Sequence, residues 1–154
     1  MDEIIQAMLT DKRLRLNIVK RSHYFFFHYY FMGDDPDAEY YPLAKFHREM
    51  IHISEDSEVT MLVIAGFRGS GKSTIMATSF PLWAILGEQK VKYVLIISQT
   101  EAKAQMMLGL IRYVLENNEL IKKDMGKFHP EPGPWNSTSL YLEIYKAKIS
   151  AVSI

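Results

Sequence analysis

Apolar and polar positions alternate at two different periods along this chain, and the changes of period mark its elements. Residues 2–31 are rich in Leu, Ile, Arg and Lys and read mostly as helix, ending in Tyr24-Phe25-Phe26-Phe27-His28-Tyr29-Tyr30-Phe31. So many adjacent rings exceed what one core face accepts. The remainder is expected to meet another surface, elsewhere in the full protein or on a partner. Gly33-Asp34-Asp35-Pro36-Asp37 then combines a helix stop with turn formers. A second helix is predicted over 43–53, where Leu43, Phe46, Met50 and Ile53 recur at helical spacing behind Pro42. After a polar break at 54–57, the β-branched and apolar run 59–65 predicts a strand buried on both faces.

A glycine-rich loop follows, and then a helix over about 71–86, with a kink expected at Pro81 and a stop at Gly87. Residues 92–98 predict a second buried strand. Thr100 is placed to cap a helix running to about Asn117. That helix carries Ala102, Met106, Gly109, Leu110, Tyr113 and Val114 on one face and Met107, Leu108, Ile111 and Leu115 on the other, so it is expected to be covered on several sides. Residues 129–134 form a proline-rich loop. The tail, 139–154, predicts two strands, with Leu140, Leu142 and Ile144 alternating in the first. The order strand, loop, helix, strand, helix predicts an α/β fold with a right-handed parallel unit.

Composition changes this picture little. The 154 residues suit one domain, 48% hydrophobic and 23% charged, as in an ordinary globular protein. The formal net charge is zero, so no global basic excess advertises a nucleic-acid partner. A local stripe of Lys12, Arg13, Arg15, Lys20 and Arg21 is explained equally by a solvated helix face. Without cysteine there is neither a disulfide nor a thiolate metal site. An acidic start without an apolar run behind it speaks against a secretory signal. The longest apolar stretches fall short of the roughly 20 residues that a membrane span needs.

The chemistry is concentrated in Gly66-Phe67-Arg68-Gly69-Ser70-Gly71-Lys72-Ser73, which fits the phosphate-loop pattern at every fixed position. Gly66, Gly69 and Gly71 let the backbone turn tightly and approach phosphate oxygens closely. Successive amides then form an anion nest at the positive end of a helix. Lys72 supplies a compact charge to the β- and γ-phosphates, and Ser73 a hydroxyl to Mg²⁺. Ser70 and Thr74 complete the nucleotide-binding set. Hydrolysis also requires an acidic residue behind a second apolar strand, and the strand at 94–97 ends instead in Ser98-Gln99-Thr100. The five histidines, including His23, His28, His47, His52 and His129, read as scattered structural residues rather than metal ligands. The nine methionines read as core filling.

Four stretches together resemble the ATPase domain of the large terminase subunit, the DNA-packaging motor of tailed bacteriophages. They are Tyr41-Pro42-Leu43-Ala44-Lys45-Phe46-His47-Arg48-Glu49-Met50, the loop 66–74, Ile96-Ile97-Ser98-Gln99-Thr100-Glu101-Ala102-Lys103-Ala104, and the strands within 140–153. The resemblance implies a P-loop NTPase of the additional-strand type with a parallel central sheet, over residues 38–154, preceded by an N-terminal helical region over 1–37. It implies ATP and Mg²⁺ as ligands and ATP hydrolysis that drives double-stranded DNA into a procapsid. Implied partners are the portal, a small terminase subunit and further copies in a ring, in the cytoplasm of a bacterial host.

By the same resemblance Arg68 matches an arginine that contacts the γ-phosphate, with a variable loop residue as the even alternative. Tyr41, Phe46 and His47 match the segment that recognises adenine, although the glutamine often used there is absent. Helical spacing alone assigns Phe46 to the core. The acidic metal-binding strand and the nuclease domain of the family are not in this sequence, so the expectation is a truncated ATPase domain that binds nucleotide with weak or no turnover. A different P-loop translocase or helicase-like ATPase, and a non-catalytic nucleotide-binding assembly fragment, are the alternatives.

Overall fold

Two short polar residues divide the N-terminal stretch that reads as one helix. In the computed structural model, which describes residues 2–33, 43–128 and 133–154, this stretch forms α1 (Asp2–Thr10), α2 (Lys12–Arg21) and α3 (His23–Phe31). The Asp11 carboxylate accepts from the amides of Arg13 at 2.8 Å and Leu14 at 3.1 Å and so opens α2. The Ser22 hydroxyl accepts from Phe25 N–H and opens α3. A side-chain oxygen that satisfies the free amides of a helix start makes a new start cheaper than continuing the old helix.

The aromatic run finds its second surface inside the chain. Phe26 and Tyr30 are buried in the main core with Leu82, Leu108 and Ile121, while Phe27 joins a smaller core with Met50, Ile51 and Ile75. No residue from 24 to 31 is exposed. Helix α3 thus lies between two apolar clusters, and these rings need no partner protein to cover them.

Helix α4 (Lys45–Glu55) is displaced by two residues from the expected 43–53, because the chain enters it at Ala44. Met50 and Ile51 are its buried positions, whereas Phe46 is 37% exposed. The spacing that assigned Phe46 to the core therefore fails. Tyr41, Pro42 and the break at 34–37 lie outside the described residues.

The run 59–65 does not form a strand. It is irregular, with Met61 and Val63 86% and 87% exposed. A strand exists only through its neighbour, since its amides and carbonyls must pair across a ladder, and no described strand pairs with this segment. Beyond the glycine loop the chain enters π-helical turns over Ser73–Ser79 and continues as α5 (Phe80–Leu86), which ends at Gly87 as expected. The change from π to α register falls next to Pro81, which brings no amide for either ladder.

The sheet has three strands, β1 (Tyr93–Ser98), β2 (Ser139–Leu142) and β3 (Ala147–Ser153), in the order β1-β3-β2. β1 runs parallel to β3, from Tyr93 opposite Lys148 to Ser98 opposite Ser153, and β2 is antiparallel to β3. The sheet is thus mixed, and its parallel pair joins strands far apart in sequence. Thr100 caps α6 (Glu101–Asn117), its hydroxyl accepting from Lys103 N–H. The α6 face that packs into the core is Ala104, Leu108, Ile111 and Leu115, beside Ile96, Ile149 and Ala151. Met106, Leu110 and Tyr113 stay exposed, so this helix is covered on one side and not all round. Similarly, β1 buries Ile96 but leaves Tyr93, Leu95 and Ile97 exposed, and it is not buried on both faces. A helix absent from the sequence reading, α7 (Glu119–Met125), starts where Asn118 Oδ1 accepts from Ile121 N–H.

Three of the five basic residues of α2 have partners within the chain. Arg15 is buried on Asp124, Lys12 donates to the Lys123 carbonyl, and Arg21 pairs with Glu88.

Candidate functional site

Left-handed backbone at two glycines shapes the loop between the exposed run and the π-helical turns. Gly69 has φ +83° and Gly71 has φ +71°, a region that side-chain-bearing residues occupy at a cost of about 1–2 kcal/mol. The Phe67 carbonyl accepts from Ser70 N–H at 3.3 Å and from Lys72 Nζ at 3.2 Å, closing the loop on itself. A Cβ on Gly66 would stand 3.0 Å from Ser70 Oγ and 3.5 Å from Lys72 Cδ, so this glycine leaves room that the loop's own side chains occupy. Ser70 is 3% exposed, and among the described residues its hydroxyl has no hydrogen-bond partner. Lys72 stands at the first helical position, followed by Ser73 and Thr74, both exposed. Arg68 is exposed in the turn.

Helix α4 supplies the other wall. A cavity of about 410 Å³ is lined by Phe46, Met50, Leu62, Ala65, Phe67 and Ser70, among others. The Phe46 and Phe67 rings meet edge-to-face in its wall, with centroids 5.7 Å apart. His47 reaches the loop itself. Its Nδ1 accepts from Ala44 N–H at 3.1 Å, and its Nε2 lies 3.0 Å from the Ser70 carbonyl oxygen. With both ring nitrogens engaged by backbone groups, His47 does not present a free edge to a base. The structure thus brings Phe46, His47, Gly66, Ser70, Gly71 and Lys72 together; Tyr41 lies outside the described residues. Sequence reasoning missed Phe67 as a cavity wall and the His47–loop bond. The position of His47 three residues after Ala44 signals its bond back to the helix start, whereas its bond to the loop has no local signal.

A second cavity, about 490 Å³, is bordered by Leu115, Lys122, Lys127 and Phe128. Lys122 there already donates to the Glu116 carbonyl at 3.0 Å.

The glycines give a graded expectation. Gly71→Ala combines a left-handed φ with a Cβ 3.3 Å from His47 Nε2, whereas at Gly69 a Cβ meets open space. Gly71→Ala is therefore expected to destabilise the protein by about 2 kcal/mol and Gly69→Ala by about 1 kcal/mol, as read from urea midpoints. Equal effects would mean that His47 does not press on Gly71.

Behind the loop helix, His23 is buried between Ser54 and Ser79, with Nδ1 2.6 Å from Ser54 Oγ and Nε2 3.0 Å from Ser79 Oγ. Ser54 Oγ donates to the Ile51 carbonyl, so it accepts from Nδ1–H, leaving Nε2 to accept from Ser79. Burial lowers the His23 pKa from 6.5 to about 4. Unfolded chains bind this proton near pH 6.5, while the native chain resists it until about pH 4. Between these values the unfolded state holds more protons, and stability falls as pH falls. A loss of about 3 kcal/mol from His23 is expected across that window, with His28, also lowered by burial, adding in the same direction. Urea titrations at a series of pH values measure it, and a flat profile above pH 4 would contradict the burial of a neutral ring.

No family model, no curated protein and no solved structure matches the chain. Among the described residues, no helix is long and apolar enough to cross a membrane.

Proposed function

We propose that loop 66–73 binds the triphosphate of ATP and that the chain is the ATP-binding part of a P-loop ATPase of the additional-strand type. The observation that carries this reading is the conjunction at the loop: left-handed Gly69 and Gly71, then Lys72 at the first helical position, beside an aromatic-walled cavity of about 410 Å³. Backbone amides of the loop and Lys72 would hold the phosphates, and Ser73 the Mg²⁺ that neutralises them. Phe46 and Phe67 offer apolar surface for the base.

The finer reading is that of a large terminase subunit, and it rests on the four sequence stretches alone. Under it the whole protein hydrolyses ATP to move double-stranded DNA, with portal, small subunit and ring assembly as partners, in the cytoplasm of a bacterial host. Arg68, exposed and close in sequence to Lys72, is then free to reach the γ-phosphate.

Titration calorimetry of the 154-residue chain with ATP and Mg²⁺ tests the first reading. Saturable binding of one nucleotide per chain is expected. No heat and no thermal shift at about 1 mM ATP, a level that detects even weak sites, would end it. Turnover measured on the same sample should be weak or absent, and robust hydrolysis would show that an acidic metal ligand lies within these residues.

A further inference from the structure

We infer that His47 is a positioning residue for nucleotide binding, holding the Ser70–Gly71 peptide of the loop from outside. Its ring is fixed in one tautomer. Because Ala44 N–H donates to Nδ1 over 3.1 Å, the ring proton of the neutral form sits on Nε2. That proton is donated to the Ser70 carbonyl over 3.0 Å. The same nitrogen lies 3.3 Å from the place a Cβ on Gly71 would take, so the ring packs on both residues of one peptide. A planar trans peptide holds its C=O and N–H in opposite directions. Fixing the Ser70 carbonyl on α4 therefore turns the Gly71 amide away from His47 and sets its direction before any ligand arrives. A donor ordered in advance spares the ligand the entropy of ordering it, which appears as affinity.

This role rests on reading loop 66–73 as the phosphate site, and it differs from contact with the base. His47 acts through the loop and touches neither nucleotide nor metal.

Three substitutions separate the loop bond from the helix cap. In His47→Glu the carboxylate still accepts from Ala44 N–H, as an acid at this helix position does, but it has no proton for the Ser70 carbonyl. In His47→Gln the amide O–C–N repeats the spacing of the two ring nitrogens, so it can accept from Ala44 and donate to Ser70 together. His47→Ala does neither. The affinity of each for Mg²⁺-ATP is measured by calorimetry, with the melting midpoint as the structural control and Lys72→Ala alongside.

His47→Glu and His47→Ala are expected to weaken binding about tenfold, with His47→Gln within about twofold of the parent, for one donated bond and the order it imposes. The melting midpoint of His47→Glu should follow that of His47→Gln. A merely structural histidine would instead make affinity follow stability, with Glu and Gln binding alike, and that result overturns the inference, as does unchanged affinity in His47→Ala. If Lys72→Ala binds as tightly as the parent, the phosphate-loop reading itself falls. If Lys72→Ala loses binding while His47→Glu keeps it, only the role of His47 falls.

Discussion

Replacing Lys72 by alanine is expected to weaken Mg²⁺-ATP binding by roughly a hundredfold or more while shifting the melting temperature by no more than about 2 °C. The two halves of this expectation come from the same geometry. Nζ has one protein partner among the described residues, the Phe67 carbonyl at 3.2 Å, in a part of the loop open to solvent. An exposed bond of this kind contributes little to folding, because water replaces it at small cost. A bound triphosphate changes the comparison. Its terminal oxygens carry several negative charges beside a desolvating backbone, and charge-assisted bonds to phosphate are about twice as strong as neutral ones. Lys72→Arg is a sharper control. It keeps the charge but replaces a compact ammonium with a planar fork that the close loop does not fit, so it should recover only part of the affinity. Calorimetric Kd values and thermal melts on the three chains decide it. Parent-like affinity in Lys72→Ala would mean that the loop is a strand-to-helix turn without a ligand.

What could be read from the sequence divides along a physical line. Signals carried by one residue and its immediate neighbours came through: the Thr100 cap, the Gly87 stop, the two strands of the tail and the glycines of the loop. Asp11, Ser22 and Asn118 carry the same kind of capping signal, and overlooking them merged three helices into one and left α7 unseen. Features that depend on a partner distant in sequence did not come through. Hydropathy at 59–65 states that those side chains favour burial, but not which strand would supply the ladder, and the segment lies unpaired. Phe46 shares the spacing of a core residue yet stands beside Phe67, because the loop and not the main core faces that end of α4. Arg15 reads as one more cation on a charged helix until Asp124, 109 residues away, closes on it. Of the candidate site, the glycine loop was legible and the support beneath it was not, since His47 reveals its bond to Ser70 only once α4 is packed against the loop.

Removing the Asp124 carboxylate is expected to cost about 3–5 kcal/mol, roughly a fifth or more of the stability of an ordinary domain. Arg15 Nε and Nη2 donate to its two oxygens at 2.7 and 2.8 Å, and the Tyr30 hydroxyl donates at 3.0 Å. The Arg15 and Asp124 side chains are only 5% and 1% exposed, and Arg15 Nη1 also donates to the Met8 carbonyl. The cluster joins α1, α2, α3 and α7, so its loss loosens the helical end as a unit. In Asp124→Ala the guanidinium remains buried without a counter-charge, and the Tyr30 hydroxyl loses its acceptor. Asp124→Asn keeps an acceptor and removes the charge, so it should fall between the parent and Asp124→Ala. Deleting both charges tests whether the pair or the orphan matters: Arg15→Met with Asp124→Leu should recover part of the loss, because no charge is then buried alone, while the Tyr30 hydroxyl and the Met8 carbonyl still lack their partners. Acid makes the same test without mutation. Burial would raise the Asp124 pKa, but the bonds from Arg15 and Tyr30 and the Arg15 charge hold it below 3.8. Its contribution is therefore complete above about pH 4 and is lost as pH falls through the native value, below the window in which His23 titrates. Urea midpoints should accordingly decline in two stages on acidification, and Asp124→Asn should retain the upper stage and lack the lower one.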